Sequence, residues 1–163
     1  MREWLVAGGL VEQDDGRLLL VQNRRGDGSL DWTTPGGVID VHEGEAVVDG
    51  LTREVEEETG ITVVEWDGPV WRVEAVAPGM GWALQVEVHR AVSWLGEVRV
   101  GDDPDGIVVA AGFVTPDQCG HRLLRASPWV GEPLTAWLAG AAEPLWRYHL
   151  EGERRSGAVI TRL

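Results

Sequence analysis

Four glutamates, Glu54, Glu56, Glu57 and Glu58, crowd the end of one amphipathic stretch running from Glu45 to Ile61. A helix is not ordinarily built that way. Its C-terminal end carries partial negative charge, and like charges four apart repel, so each Glu there costs roughly a few tenths of a kcal/mol. A local rule broken this plainly points to a functional site. At about 100° per residue, Glu57 lies about 60° from Glu54 on one side and Glu58 about 40° from it on the other. Three carboxylates therefore form one stripe, and Glu56 points away. Val47, Leu51 and Val55 recur four apart on another face, which predicts a helix buried along that face with the acidic stripe at the rim of the core. Gly60 is placed to end the helix as a C-cap. Clustered carboxylates that stay ionised attract hard, oxygen-seeking divalent cations, Mg²⁺ or Mn²⁺ ahead of Zn²⁺.

The run Glu45, seven residues, then Arg53-Glu54-Val55-Glu56-Glu57-Glu58-Thr59-Gly60-Ile61, preceded by Pro35-Gly36-Gly37, resembles the signature of the Nudix hydrolases. Seven residues separate Gly37 from Glu45, two more than the family's spacing. Taking Glu43 instead would restore that spacing but add two helical residues before Arg53, a rotation of about 200°. The insertion is therefore assigned to the loop around Val41-His42-Glu43, and Glu45 stays in the motif.

The resemblance implies an α+β fold, an α/β/α sandwich around a mixed β-sheet. It implies an enzyme that cleaves the diphosphate linkage of a nucleoside diphosphate joined to some group X, releasing a nucleotide and phosphorylated X. Glu54, Glu57 and Glu58 would be the metal ligands, completed by the backbone carbonyl near Gly37, with Mg²⁺ or Mn²⁺ polarising the phosphoryl oxygens and activating the attacking water. Arg53 and Glu45 would orient those ligands. Arg53, four residues before Glu57, is within reach of a helical ion pair. A base or additional ligand is expected from the later run Asp102-Asp103-Pro104-Asp105-Gly106, chiefly Asp103 and Asp105, with Glu87 as second choice. The same run also has the composition of an ordinary turn.

Composition narrows the alternatives. The 163 residues suit a single domain spanning 1–163, and 44% apolar content excludes wholesale disorder. A net charge of −13 argues against a duplex-binding surface. All 14 basic residues are Arg, and without Lys the chain has no P-loop lysine, no Schiff base and no serine–lysine hydrolase site. No basic start followed by an apolar stretch and no span of about 18 apolar residues appears, so a cytoplasmic protein with no membrane partner is expected. Cys119 stands alone and the four His show no zinc spacing.

Nine Trp against one Phe and one Tyr is an unusual aromatic balance. Trp32 or Trp82 is a candidate for stacking on a nucleobase, and Trp129, Trp137 and Trp146 for the seam of a homodimer. Arg24 and Arg25 are placed to meet terminal phosphates, or to form a solvated loop pair. Substrate class stays open between nucleoside triphosphates, to which the short chain inclines, and ADP-ribose or nucleotide sugars. Pro78 falls near, but not at, the position of a proline that marks ADP-ribose relatives. A catalytically silent nucleotide sensor on the same fold is the alternative, and an isomerase is a third and weaker option, since the only cysteine, Cys119, lies far from the motif.

Trp4–Val11 and Arg17–Gln22 are expected as strands of a hairpin turning at Asp14-Asp15-Gly16. A glycine-rich loop, Arg25 to Leu30, leads into the motif. Val63–Trp66, Val70–Ala77, Ala83–Trp94 and Ile107–Val114 are expected as further strands, and Pro116–Leu124 and Pro133–Ala141 as helices. The tail from Leu145 to Leu163 carries no assignment.

Overall fold

In the computed structural model, which describes residues 1–101 and 103–163, strand patterning splits the chain between two sheets. The strands are β1 (Arg2–Leu10), β2 (Leu18–Arg24), β3 (Leu30–Thr33), β4 (Gly36–Val38), β5 (Thr62–Ala77), β6 (Trp82–Leu95), β7 (Val108–Val114), β8 (Leu145–Glu151) and β9 (Val159–Arg162). The helices are α1 (Val47–Thr59), α2 (Pro116–Arg122) and α3 (Pro128–Leu138). A six-stranded sheet runs β4-β1-β6-β5-β8-β9, and a three-stranded sheet runs β3-β2-β7. The larger sheet is mixed: β1 lies parallel to β6 and β5 parallel to β8, while its other pairs are antiparallel.

Leu51 and Val55 of α1 are fully buried with Ala7, Val11, Leu19, Ile39 and Ile61. Burying an aliphatic side chain of that size contributes about 1.5–3 kcal/mol, so this face holds the helix down. Trp66 of β5 adds a hydrogen bond from Nε1 to Thr52 Oγ1 at 2.9 Å. Gly60 ends α1 in the left-handed region at φ 78° and donates its N–H to Glu56 O, a conformation that any residue with a Cβ would resist. On the other side of the large sheet, Trp71, Val73, Ala75 and Ala77 of β5 meet Trp146, Tyr148 and Leu150 of β8, Cys119 of α2 and Leu134 of α3. No described helix is long and apolar enough to cross a membrane.

Four expectations change. The Asp14-Asp15-Gly16 turn forms, with Gly16 N bonded to Gln13 O at 2.9 Å and a lone bridge from Glu12 to Leu18. Beyond that bridge β1 and β2 part into different sheets, β1 pairing along its length with β6 and β2 with β7. Residues 63–66 and 70–77 belong to one strand, β5, whose pairing with β6 skips from Asp67 to Trp71. The third helix begins at Pro128, five residues earlier than expected, with proline in the first turn where its missing N–H costs nothing. The tail forms β8 and β9: the alternation of Trp146, Tyr148 and Leu150 with Arg147, His149 and Glu151 is a period-two pattern.

Two of the three tryptophans proposed for a dimer seam are taken up inside the chain, and the third, Trp137, is half-buried. Trp129 and Trp146 are buried, and Trp137 lies 6.3 Å from the Trp71 ring.

Candidate active site

The acidic end of α1 meets the short strand β4 at the mouth of a cavity of about 1030 Å³. Glu58 is 5% exposed, and its Oε1 accepts the Gly36 N–H at 2.9 Å. Glu54 packs on Gly37: a Cβ there would sit 2.7 Å from the Glu54 carboxyl carbon, so a side chain at this position would displace that carboxylate. Glu54 and Glu58 both line the cavity, together with Gly36, Gly37, Asp103 and Asp105.

Arg53 gathers the neighbouring carboxylates. Its Nε and Nη2 fork onto Glu45 at 3.0 and 3.1 Å, while Nη1 reaches Glu54 at 3.1 Å and Glu57 at 3.3 Å. Glu45 precedes α1 and also accepts the Asp40 N–H at 3.1 Å. It thus ties the loop to the helix, and its bond with Arg53 holds its carboxyl below the usual range. Between them, residues Val41–Glu43 form a single 3₁₀ turn closed at Gly44, the segment to which the two extra residues are assigned. Glu56 points away and accepts from Thr62 Oγ1.

Electrostatics separate the stripe's members. Burial pushes Glu58 up to about 8, opposed by the Gly36 bond and reinforced by the carboxylates of Glu54, Asp103 and Glu57. Burial also raises Glu54, against the pull of Arg53. Glu58 has no cation within ion-pair distance among the described residues. A buried carboxylate facing other carboxylates is stabilised in its charged form by a cation between them. The donor set, all hard oxygens, fits a divalent ion such as Mg²⁺. Among the described residues no three such donors already close on one point, and Glu57, held by Arg53, lies outside the cavity lining.

The remaining candidates divide. Asp103 shapes its loop: Oδ2 accepts from Ile107 N and Val108 N at 3.1 and 3.0 Å, and Oδ1 from Asp105 N at 3.2 Å. Asp102 lies outside the described residues. Val86 and Val88 line the cavity, so Glu87 between them faces the opposite side of the sheet. There its Oε1 lies 3.4 Å from His89 Nε2, an atom left without a hydrogen-bond partner. Arg25 lines the cavity but forks onto Asp31 at 2.7 and 2.9 Å. Arg24 and Trp32 do not line it, and Trp32 is covered by Arg122 at 4.2 Å. Trp82 does line it, set edge-on to Trp129 at 6.2 Å. Cys119 is fully buried, away from the cavity.

Sequence reading missed several wall residues. Trp4, Trp71 and Trp129 complete the aromatic lining, and Asn23 donates to Asp31 and Thr33 beside it at 3.1 and 2.9 Å. Arg155 arrives from the tail. Strand alternation gave a partial signal, since Trp82, Leu84, Val86 and Val88 share one face.

The family model for the NUDIX domain matches residues 3–138. The chain belongs to the NUDIX family. Among solved structures, this NUDIX domain is similar to a MutT NUDIX hydrolase from Burkholderia pseudomallei at 27% identity and TM-score 0.60, over 72% of this chain and 86% of that one. A MutT protein from Bacillus halodurans shares 20% identity at TM-score 0.66 over 96% and 97% of the two chains. The ORF135 protein of E. coli shares 20% at TM-score 0.67 over 86% and 94%. The last two likenesses speak to fold, which is α+β with a mixed sheet between helices. No curated protein matches the NUDIX chain by sequence. Membership makes the protein a pyrophosphohydrolase by class, of a family that generally uses a divalent metal.

Proposed function

We propose that this NUDIX protein is a Mg²⁺-dependent hydrolase that cleaves the diphosphate of a nucleoside diphosphate linked to X, such as a nucleoside triphosphate, ADP-ribose or a nucleotide sugar. The observation that carries the reading is the convergence of Glu54 and Glu58 on the Gly36-Gly37 rim of a cavity large enough for a nucleotide. Glu54, Glu57, Glu58 and the Gly37 carbonyl would hold the metal. When bound, a divalent cation neutralises phosphoryl oxygens and lowers the pKa of a coordinated water.

The chain's own residues do the rest. Arg53 fixes the directions of Glu54 and Glu57 while Glu45 fixes Arg53, an arrangement that holds ligands in place without touching substrate. Asp105 is the favoured base. It lines the cavity, whereas both oxygens of Asp103 are engaged in loop hydrogen bonds and Glu87 faces away. The tryptophan-lined wall takes the nucleoside or X, Trp82 replacing Trp32 as the stacking candidate. The protein acts in the cytoplasm, where a lone buried thiol stays reduced; a homodimer is retained as a proposal.

The test is product release from nucleoside triphosphates, ADP-ribose, nucleotide sugars and dinucleoside polyphosphates in Mg²⁺, Mn²⁺ or EDTA, with products identified chromatographically. Metal-dependent release of a mononucleotide is expected. Nucleotide binding with no turnover in either metal would sink the hydrolase in favour of the sensor.

A further inference from the structure

The cavity has three arginines in its lining, and two are already engaged. Arg25 is forked onto Asp31, and Arg53 onto Glu45 with Glu54 and Glu57 beyond. The third, Arg155, has no carboxylate within ion-pair distance among the described residues. It is also the lining cation that comes from outside the residues matched by the family model, from the turn between β8 and β9.

The turn is held at two places. At its base Gly152 abuts Gly79 of the β5–β6 turn, so closely that a Cβ on Gly79 would lie 2.5 Å from Gly152 O. At its tip Arg155 Nη2 donates to Ser127 Oγ at 2.9 Å, and the guanidinium lies 5.7 Å from the ring centroid of Trp129. Ser127 and Trp129 line the same cavity. One Nη2 bond goes to Ser127, and since a guanidinium carries five donors and no acceptor, what its remaining donors select is an oxygen acceptor.

We infer that Arg155 is a specificity-determining residue, reading an oxygen acceptor on the end of the substrate remote from the diphosphate, against the wall formed by Trp82 and Trp129. The inference rests on the proposed reading of the cavity as the substrate site. That oxygen has two sources: a carbonyl on the nucleobase edge, or an anionic group on X. In a chain of net charge −13 with a carboxylate-rich reaction end, a cavity-wall cation that feels the exposed Asp27 but makes no ion pair among the described residues is where such an oxygen gains most.

The experiment separates this from the hydrolase reading by measuring binding as well as turnover. Tryptophan fluorescence or calorimetry gives Kd with Mg²⁺ for wild type, Arg155→Ala, Arg155→Lys and Ser127→Ala. Two ligand pairs are used: UDP with CDP, which share the 2-carbonyl and differ in a 4-carbonyl oxygen against a 4-amino group, and UDP-glucuronate with UDP-glucose, which differ in a carboxylate against a hydroxymethyl group on X. Arg155→Ala is expected to weaken UDP in the first pair or UDP-glucuronate in the second by about tenfold. Its counterpart should move little, Arg155→Lys should recover part of the loss, and Ser127→Ala should keep the discrimination. The pair that responds names the source. Equal weakening of all four ligands, no change in any, or a wild type that binds none of them overturns the inference. Arg155-dependent discrimination without turnover on any substrate would leave it standing and remove the hydrolase reading alone.

Discussion

The two ends of the cavity are built by different rules. The acidic end is largely local: Gly36, Gly37, Arg53, Glu54 and Glu58 come from one strand–loop–helix unit, with Asp103 and Asp105 brought to it by the β6–β7 loop, and the unit's geometry follows from helical spacing and a glycine rim. The aromatic end is assembled from afar, with Trp4 on β1, Trp71 on β5, Trp82 on β6, Trp129 on α3 and Arg155 between β8 and β9. A short unit keeps charges in register whatever surrounds it, while the far wall depends on strand order and on a tail beyond the family-matched residues. The contrast predicts that changes at the acidic end abolish chemistry with the fold intact, and that changes at the far wall alter which substrate is held.

The largest effect is expected from Glu58→Gln. Gln preserves the acceptor for Gly36 N–H but removes the charge, and even partners of metal ligands are worth about 10–100-fold. Turnover with Mg²⁺ should fall more than about 100-fold, with unchanged circular dichroism and an unchanged or higher Tm in EDTA. Near-wild-type kcat in the folded variant would remove Glu58 from the metal set. Glu57→Gln is the sharper probe, because Glu57 is held by Arg53 outside the lining. If it is a ligand its loss should match that of Glu58→Gln, whereas a fall of only about tenfold would mark it as an orienting partner.

Next comes Gly37→Ala. Its Cβ would stand 2.7 Å from the Glu54 carboxyl carbon, so the flexible carboxylate must move while the backbone stays. Activity should drop by about 10–100-fold and the Mg²⁺ concentration for half-activity should rise. A variant as active as wild type would show that the contact between Glu54 and Gly37 does not matter. At the opposite end, Trp82→Leu should raise KM about tenfold, the scale of one stacked base, with little change in kcat. A fall in kcat at constant KM would contradict the division between the two ends.

Much of the acidic end was legible because an α-helix converts spacing directly into direction. The positions of Glu54 and Glu58 and the exclusion of Glu56 follow from about 100° per residue, the Gly60 cap follows from glycine's tolerance of a left-handed backbone, and Glu57, placed in the same stripe, is drawn outside the lining by Arg53. The pairing of Arg53 with Glu45 instead of Glu43 followed from the same arithmetic. The far wall was not legible, since strand alternation says which residues share a face but not which strands lie side by side. Arginine partners were equally hidden: Arg24 and Arg25 are sequence neighbours, yet Arg25 lines the cavity and Arg24 does not. The tail shows the limit most clearly. Its period-two pattern was present in Trp146, Tyr148 and Leu150, but the parallel pairing of β8 with β5 is a long-range choice that no local signal carries.

The smallest expected effect concerns stability, and it reads the acidic end without any substrate. Burial holds Glu58 at about 8 in the folded chain, against an ordinary 4.5. Between those values the native state binds a proton that the unfolded chain has released, so the slope of unfolding free energy with pH is negative. Without metal, stability contributed by protonated Glu58 is fully present below about 4.5 and is lost as pH rises through 8. In EDTA, Tm should therefore decline from pH 5 to 8 by an amount on the order of several degrees, and Glu58→Gln should flatten the decline. Added Mg²⁺ should raise Tm more at pH 8 than at pH 5, because it binds the ionised form. A wild-type Tm in EDTA that is as level across that range as in Glu58→Gln would mean that Glu58 finds a compensating charge. The acidic end would then be a set of ion pairs, no different in kind from the Arg25–Asp31 fork.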